Sequence, residues 1–343
     1  MSGTPRALAL PLARYRFTAQ LEADLPWPVF AGPLLRSVFG AALHHVACTT
    51  GQPRCPACPL WRSCPYPAVF ETPPRPTQFE QQFSQVPNPY VIEPPLAGAG
   101  DGVLRAGEPW VWHMVLAGES TLARLDLIVH AWRRALRQGL GERRVPGRLL
   151  SVERLDPDGG APLPVLAGDG SRVIAHESRL WLPLPAVDAD ESATPTLEAT
   201  LHLTTPLRLQ HQGQALGPEQ LDARTLLSQM LRRTNLMLDL HLGVRPAPFD
   251  APALLAAVLP VLSERRALRW QDAPRYSARQ RREMNLGGVV GRWTISAPAH
   301  ALAPLLPWLH LGQWLHLGKN ATMGLGGYRL ETSATNALLS ETV

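Results

Sequence analysis

Residues 14–23 (RYRFTAQLEA) alternate apolar and polar side chains, the two-residue period of a strand with one buried face. Pro26 and Pro28 end the run, because proline has no N–H to give to a ladder. A different period follows. Over residues 30–47, steps of about 100° place Leu34, Leu35, Val38, Phe39, Ala42, Leu43 and Val46 on one half of a helix. His44 falls opposite that stripe and His45 at its edge. Residues 110–116 (WVWHMVL) read as a strong strand, and 122–140 as an amphipathic helix with His130, Arg133, Arg134 and Arg137 toward its outer side. Shorter strands at 90–93, 152–155 and 172–181 complete the order β-α-β…β-α-β, that of a ferredoxin-like domain with inserts.

An acidic, turn-prone linker at 188–195 (DADESATP) precedes a second pattern. Residues 197–209 read as a strand and 220–242 as a long helix carrying Arg224, Arg232 and Arg233. Another strand follows at 289–295, then an apolar helical run at 301–317 interrupted by Pro304 and Pro307, and a closing strand at 328–332. The fold class is therefore α+β. Two ferredoxin-like domains stand in tandem, residues 1–187 and 196–335, and the first carries a four-cysteine insertion at 48–64.

Composition sharpens this. With 45% hydrophobic and 18% charged residues over 343 positions, the chain is a folded protein large enough for two cores. Its 35 prolines call for long ordered loops. The net charge of +5 is concentrated: residues 264–292 hold eight arginines against three acids, a surplus equal to that of the whole chain. A focused basic patch points to nucleic acid. The apolar run at 7–13 is too short for a secretory signal and no run is long enough to span a bilayer, so a cytoplasmic location is expected.

All four cysteines, Cys48, Cys55, Cys58 and Cys64, fall in one C-x6-C-x2-C-x5-C cluster. Such clustering in a reducing compartment argues for a metal site, and four thiolates close a tetrahedral structural zinc site. A four-iron cluster takes the same ligand set, so the spacing leaves the metal open. Near the C-terminus, Gly318, Gly324, Gly326 and Gly327 bracket Lys319, the sole lysine. A turn without Cβ atoms can bring backbone N–H groups to an anion, and arginine forks grip phosphate in pairs. Nucleotide-cofactor motifs do not fit. Five residues, not four, separate Gly312 from Gly318, Asn320 follows the lysine, and Gly324-Leu325-Gly326-Gly327 runs into an apparent strand.

The segments RYSARQRREMNLGGVVGRWTI and LHLGKNATMGLGGYRL resemble the C-terminal half of the CRISPR-associated precursor-crRNA processing endoribonucleases of the RAMP superfamily. LLRSVFGAALHHVACTTG, CPACPLWRSCPYPAVFE and NPYVIEPP resemble the N-terminal half of a cysteine-bearing branch. The resemblance implies tandem RAMP/RRM-like ferredoxin folds with RNA along their junction. It implies metal-independent cleavage at the base of a repeat hairpin, leaving a 2′,3′-cyclic phosphate and a 5′-OH, with the product retained. Members often carry a catalytic histidine on the first helix, which puts His44 and His45 forward; His316, beside the Gly-rich segment, is the third candidate. Arg275, Arg279, Arg281 and Arg282 would hold duplex phosphates, with Lys319, Gly318, Gly324 and Gly326 beside them and Arg232 and Arg233 as a second set. Other CRISPR effector-complex subunits are the expected protein partners. Two further classes stay open at this stage: a guide-holding subunit that binds crRNA without cutting, and a zinc-containing DNA-binding regulator.

Overall fold

The alternation at 14–23 folds as strand β1 (Leu12–Leu21), with Tyr15, Phe17, Ala19 and Leu21 buried. The computed structural model describes residues 7–77, 86–95, 102–168, 170, 172–184, 195–277 and 282–332, with 274–277 and 282–285 as backbone only. Within these the chain divides into two compact units. One comprises Leu10–Leu180 with Leu236–Arg245; the other holds Trp181–Asn235 and the chain from Pro246 onward. Most of the acidic linker lies outside the described residues.

In the first unit β1 is followed by helix α1 (Gly32–Ala47), a short helix α2 (Pro65–Phe70), strands β2 (Tyr90–Glu93) and β3 (Pro109–Ala117), helix α3 (Leu125–Gln138), and strands β4 (Gly147–Arg154) and β5 (Leu163–Pro164). The antiparallel sheet runs β2-β3-β1-β4-β5. Its first four strands have the second-third-first-fourth order of a ferredoxin-like sheet. One face is apolar: Phe17, Trp112, Trp132 and Phe39 stack in series, with Phe39 and Trp132 centroids 5.0 Å apart. Each fully buried large apolar side chain contributes about 1.5–3 kcal/mol, so this ring cluster is the anchor of the unit. The other face is charged and paired across strands, Arg14 to Glu93 at 3.0 Å and Arg16 to Glu153 at 2.9 Å.

The second unit repeats the plan. Strand β6 (Thr196–Leu207), helix α4 (Ala223–Met237), a short helix α5 (Ala251–Val258) and strand β7 (Ser263–Gln271) are followed by a two-stranded hairpin, β8 (Pro274–Ser277) with β9 (Arg282–Asn285). Strand β10 (Gly288–Pro298), helix α6 (Leu306–Leu315) and strand β11 (Tyr328–Thr332) complete it. The sheet order β7-β10-β6-β11 is again second-third-first-fourth. Pro304 and Pro307 do break the apolar run: a short turn precedes α6, and Pro307 occupies its first turn, where a missing N–H costs nothing.

Strand β7 is absent from the sequence expectation. SERRALRWQ has arginine on both faces, so the two-residue period is hidden. The structure supplies the compensation: Arg265 pairs with Glu198 at 2.9 Å on the open face, while Arg266 gives a hydrogen bond to the Leu221 carbonyl on the other. Residues 172–181, expected as a strand, contribute only an isolated bridge from Val173 and the start of a short strand at Leu180–Pro183. Among the described residues no helix is long and apolar enough to cross a membrane.

Candidate functional site

The candidate groups fall into two clusters, one in each unit. The first sits at the C-terminal end of α1. The face reading of its two histidines reverses in the structure. Ser37, Ala41 and His45 form the exposed row, whereas Gly40 and His44 form an i, i+4 row turned toward α2, with Cys48 capping the helix. The cause is a second packing partner that a single-stripe reading overlooks. Phe70 of α2 lies so close to α1 that a Cβ at Gly40 would overlap its ring, and His44 meets Tyr66 edge-on at 4.8 Å. His45 is left facing solvent.

His44, Cys48, Cys55, Cys58 and Cys64 all line one recess. Backbone N–H groups of Gly51 and Thr50 point at the Cys48 sulfur and hold its thiol below the ordinary range. Burial raises the Cys55 thiol, and charge on Glu71 and on each of the other three cysteines raises it further, so the four share one electrostatic neighbourhood. Thr50 Oγ1 lies 3.3 Å from Cys58 Sγ. The donor set suits a thiophilic ion in kind and number. Among the described residues, no three of the donors are placed to ligate one ion. The loop bearing Cys55 and Cys58 has little else to hold it. From 49 to 63 nearly every residue is exposed, including Leu60 at 42%, and the inward-turned side chains are Cys55, Cys58 and Trp61.

The second cluster lies at one end of the sheet in the second unit. The hairpin β8–β9 projects between β7 and β10, carrying Arg275 and Arg282 on its strands; Arg279 and Arg281 lie outside the described residues. At the hairpin's base Leu286 N–H bonds to the Ala273 carbonyl at 2.9 Å. Arg208, just past β6, gives a hydrogen bond to the Gly287 carbonyl at 2.8 Å, and its own carbonyl accepts the Lys319 N–H at 2.9 Å. Hairpin base, Arg208 and the Gly-rich segment are thus knit together, with the Lys319 side chain exposed. Trp270, 36% exposed, stands at the end of β7 and is fixed by Nε1–H donation to Asp272 at 2.8 Å.

Three sequence expectations need correction here. The Gly-rich segment is not an open anion cradle. The N–H groups of Lys319, Met323, Gly324, Gly326 and Gly327 all donate within the protein, to Arg208, Asn320, Ala321, Pro206 and Thr205 respectively. Gly318, Gly324 and Gly326 instead permit positive φ and close packing; a Cβ on Gly326 would fall on the Leu317 carbonyl. Arg233 is not presented to a ligand. Its guanidinium is enclosed, bonding the Leu315 carbonyl at 2.7 Å and the His316 carbonyl at 2.7 Å, where a cation closes the end of α6. Burial lowers its pKa to about 10. His316 is itself 4% exposed, at φ 55, with Nδ1 3.2 Å from the Leu325 carbonyl and its ring packed on Gly327, the setting of a core side chain. Arg232, by contrast, is exposed on α4.

Sequence reading missed Arg208 and Thr205. Thr205 Oγ1 donates to the Gly324 carbonyl at 2.7 Å and accepts from Gly327 N–H at 2.7 Å, clamping the glycine segment. The one available signal was the break in alternation at Thr204-Thr205-Pro206.

Residues 201–328 match the family model of the CRISPR-associated endoribonuclease Cas6, and residues 10–178 match a separate N-terminal-domain model. The segment 201–328 of the chain carries a Cas6-family domain. The fold of the chain is similar to a partial Cas6-RT-Cas1–Cas2 complex, at 16% identity and TM-score 0.56, over 94% of this chain and 47% of that one. It is also similar to a Thermus thermophilus Cas6 in a product complex, at 15% identity and TM-score 0.53, over 93% and 100% of the two chains. The chain spans about half the length of the first of these. No curated protein matches it. The Cas6 match runs from β6 into β11, and so encloses the hairpin, Arg208 and Lys319.

Proposed function

We propose that the chain is an endoribonuclease that cuts CRISPR repeat RNA to release mature crRNAs. The observation that carries this reading is the Cas6 match over the segment that builds the cationic sheet end. A-form RNA hides its base edges in a deep groove, so a narrow ribbon of arginines suits its backbone phosphates. Lys319 adds a point charge beside the ribbon's base.

His45 is the group assigned to proton transfer, because it is the exposed member of the pair on α1. Imidazole can take and return a proton near neutrality. It removes the proton of the 2′-OH as that oxygen attacks the adjacent phosphorus; the bond to the 5′-oxygen breaks and that oxygen gains a proton. The fragments carry a 2′,3′-cyclic phosphate and a 5′-OH. Cations at the phosphorane stabilise the charge that develops, and no metal enters the step. The upstream phosphate contacts are unaltered by the cut, so that product stays bound and can meet other CRISPR subunits, as the Cas6-RT-Cas1 neighbour meets Cas2. The setting is the cytoplasm. The cysteine recess holds a structural zinc ion that fastens the exposed loop to α1.

The test is a single-turnover reaction of labelled repeat RNA, started by mixing in EDTA. Two fragments with a cyclic-phosphate end are expected. Tight binding without cleavage would leave a guide-holding subunit, and preference for duplex DNA would leave a regulator. In the same binding assay, Lys319→Gln should weaken all RNA sequences alike and reduce the slope of log affinity against log salt by about 1. An unchanged slope would remove Lys319 from the interface.

A further inference from the structure

We propose that His44 is a ligand of the metal held at the cysteine recess and takes no part in the RNA chemistry. The inference rests on the structural-zinc reading above. Local geometry supplies the first argument: His44 lies in the last turn of α1, Cys48 caps that turn with its N–H on the His44 carbonyl at 2.9 Å, and both line the recess. Tyr66, edge-on at 4.8 Å, limits the directions the imidazole can take. The second argument is mechanical. Cys55 and Cys58 ride on an exposed loop, whereas His44 stands on, and Cys48 caps, a helix whose other face is buried in the core. His44 and Cys48 are the fixed half of the site and the Cys55-x2-Cys58 knuckle is the exposed half. Five donors surround the recess and a tetrahedral ion takes four, so one cysteine is left outside the sphere.

The probe is Co(II), whose thiolate charge-transfer band counts bound sulfurs, added to the reduced full chain. A three-thiolate spectrum is expected for the wild type. His44→Ala should bind Co(II) at least about 100-fold more weakly, since losing an outer-shell partner alone costs about 10–100-fold. His44→Cys should restore affinity and add a fourth thiolate to the band, which separates ligand loss from misfolding. His45→Ala should leave the spectrum as it is. A second readout is trypsin: cutting after the exposed Arg54 and Arg62 should slow on metal loading in the wild type and not in His44→Ala. A four-thiolate spectrum, unaltered in His44→Ala, overturns the inference while leaving the zinc reading intact. A wild-type chain that binds no metal overturns both.

Discussion

Replacing His45 with alanine is expected to slow single-turnover cleavage of repeat RNA by about 10²–10⁴-fold, the usual worth of a positioned acid or base. RNA affinity should stay at the wild-type level, because the groups assigned to phosphate binding lie in the other unit, on the hairpin and at Lys319. His45 is chosen on exposure: it follows Ser37 and Ala41 on the solvent row of α1, whereas its neighbour His44 packs on Tyr66. The measurement is the rate of cyclic-phosphate formation at saturating enzyme, with binding followed separately. Full cleavage by His45→Ala, with loss in His44→Ala at unchanged metal content, would reverse the assignment of the two histidines.

Gly326→Ala is expected to unfold the second unit, with a loss of more than about 4 kcal/mol, the range reached only by severe backbone or core conflicts. Gly326 has φ 70, and its added methyl would overlap the Leu317 carbonyl. Relief by moving the chain is blocked from two sides, since Leu317 N–H bonds to the Gly326 carbonyl at 3.0 Å and Gly326 N–H to the Pro206 carbonyl at 3.0 Å. Thermal unfolding and soluble yield are the readouts. A stable variant that has lost only RNA affinity would restore the anion-cradle role that the hydrogen bonds argue against.

Both ferredoxin-like units were legible where burial is one-sided, because alternation in β1 and the stripe on α1 each report a single packing partner. His44 was misplaced for the complementary reason: α2 buries a second face of α1, and one helix read alone shows nothing of its neighbours. Strand β7 was hidden because Arg265 and Arg266 satisfy themselves through Glu198 and the Leu221 carbonyl, partners distant in sequence. The glycines of 318–327 were correctly singled out, but for a ligand; a positive φ and a carbonyl against Cα leave the same letters as a phosphate loop. The four cysteines, clustered in sequence, line one recess in space.

The hairpin β8–β9 joins the second unit through Ala273 and Leu286, both buried, and among the described residues its two strands pair only with each other. Among the described residues, those between Ala273 and Leu286 supply no ladder bond to the four-stranded sheet. On the proposed RNA-binding reading, adaptation to a new stem would fall on this appendage rather than on the ladder of the four-stranded sheet.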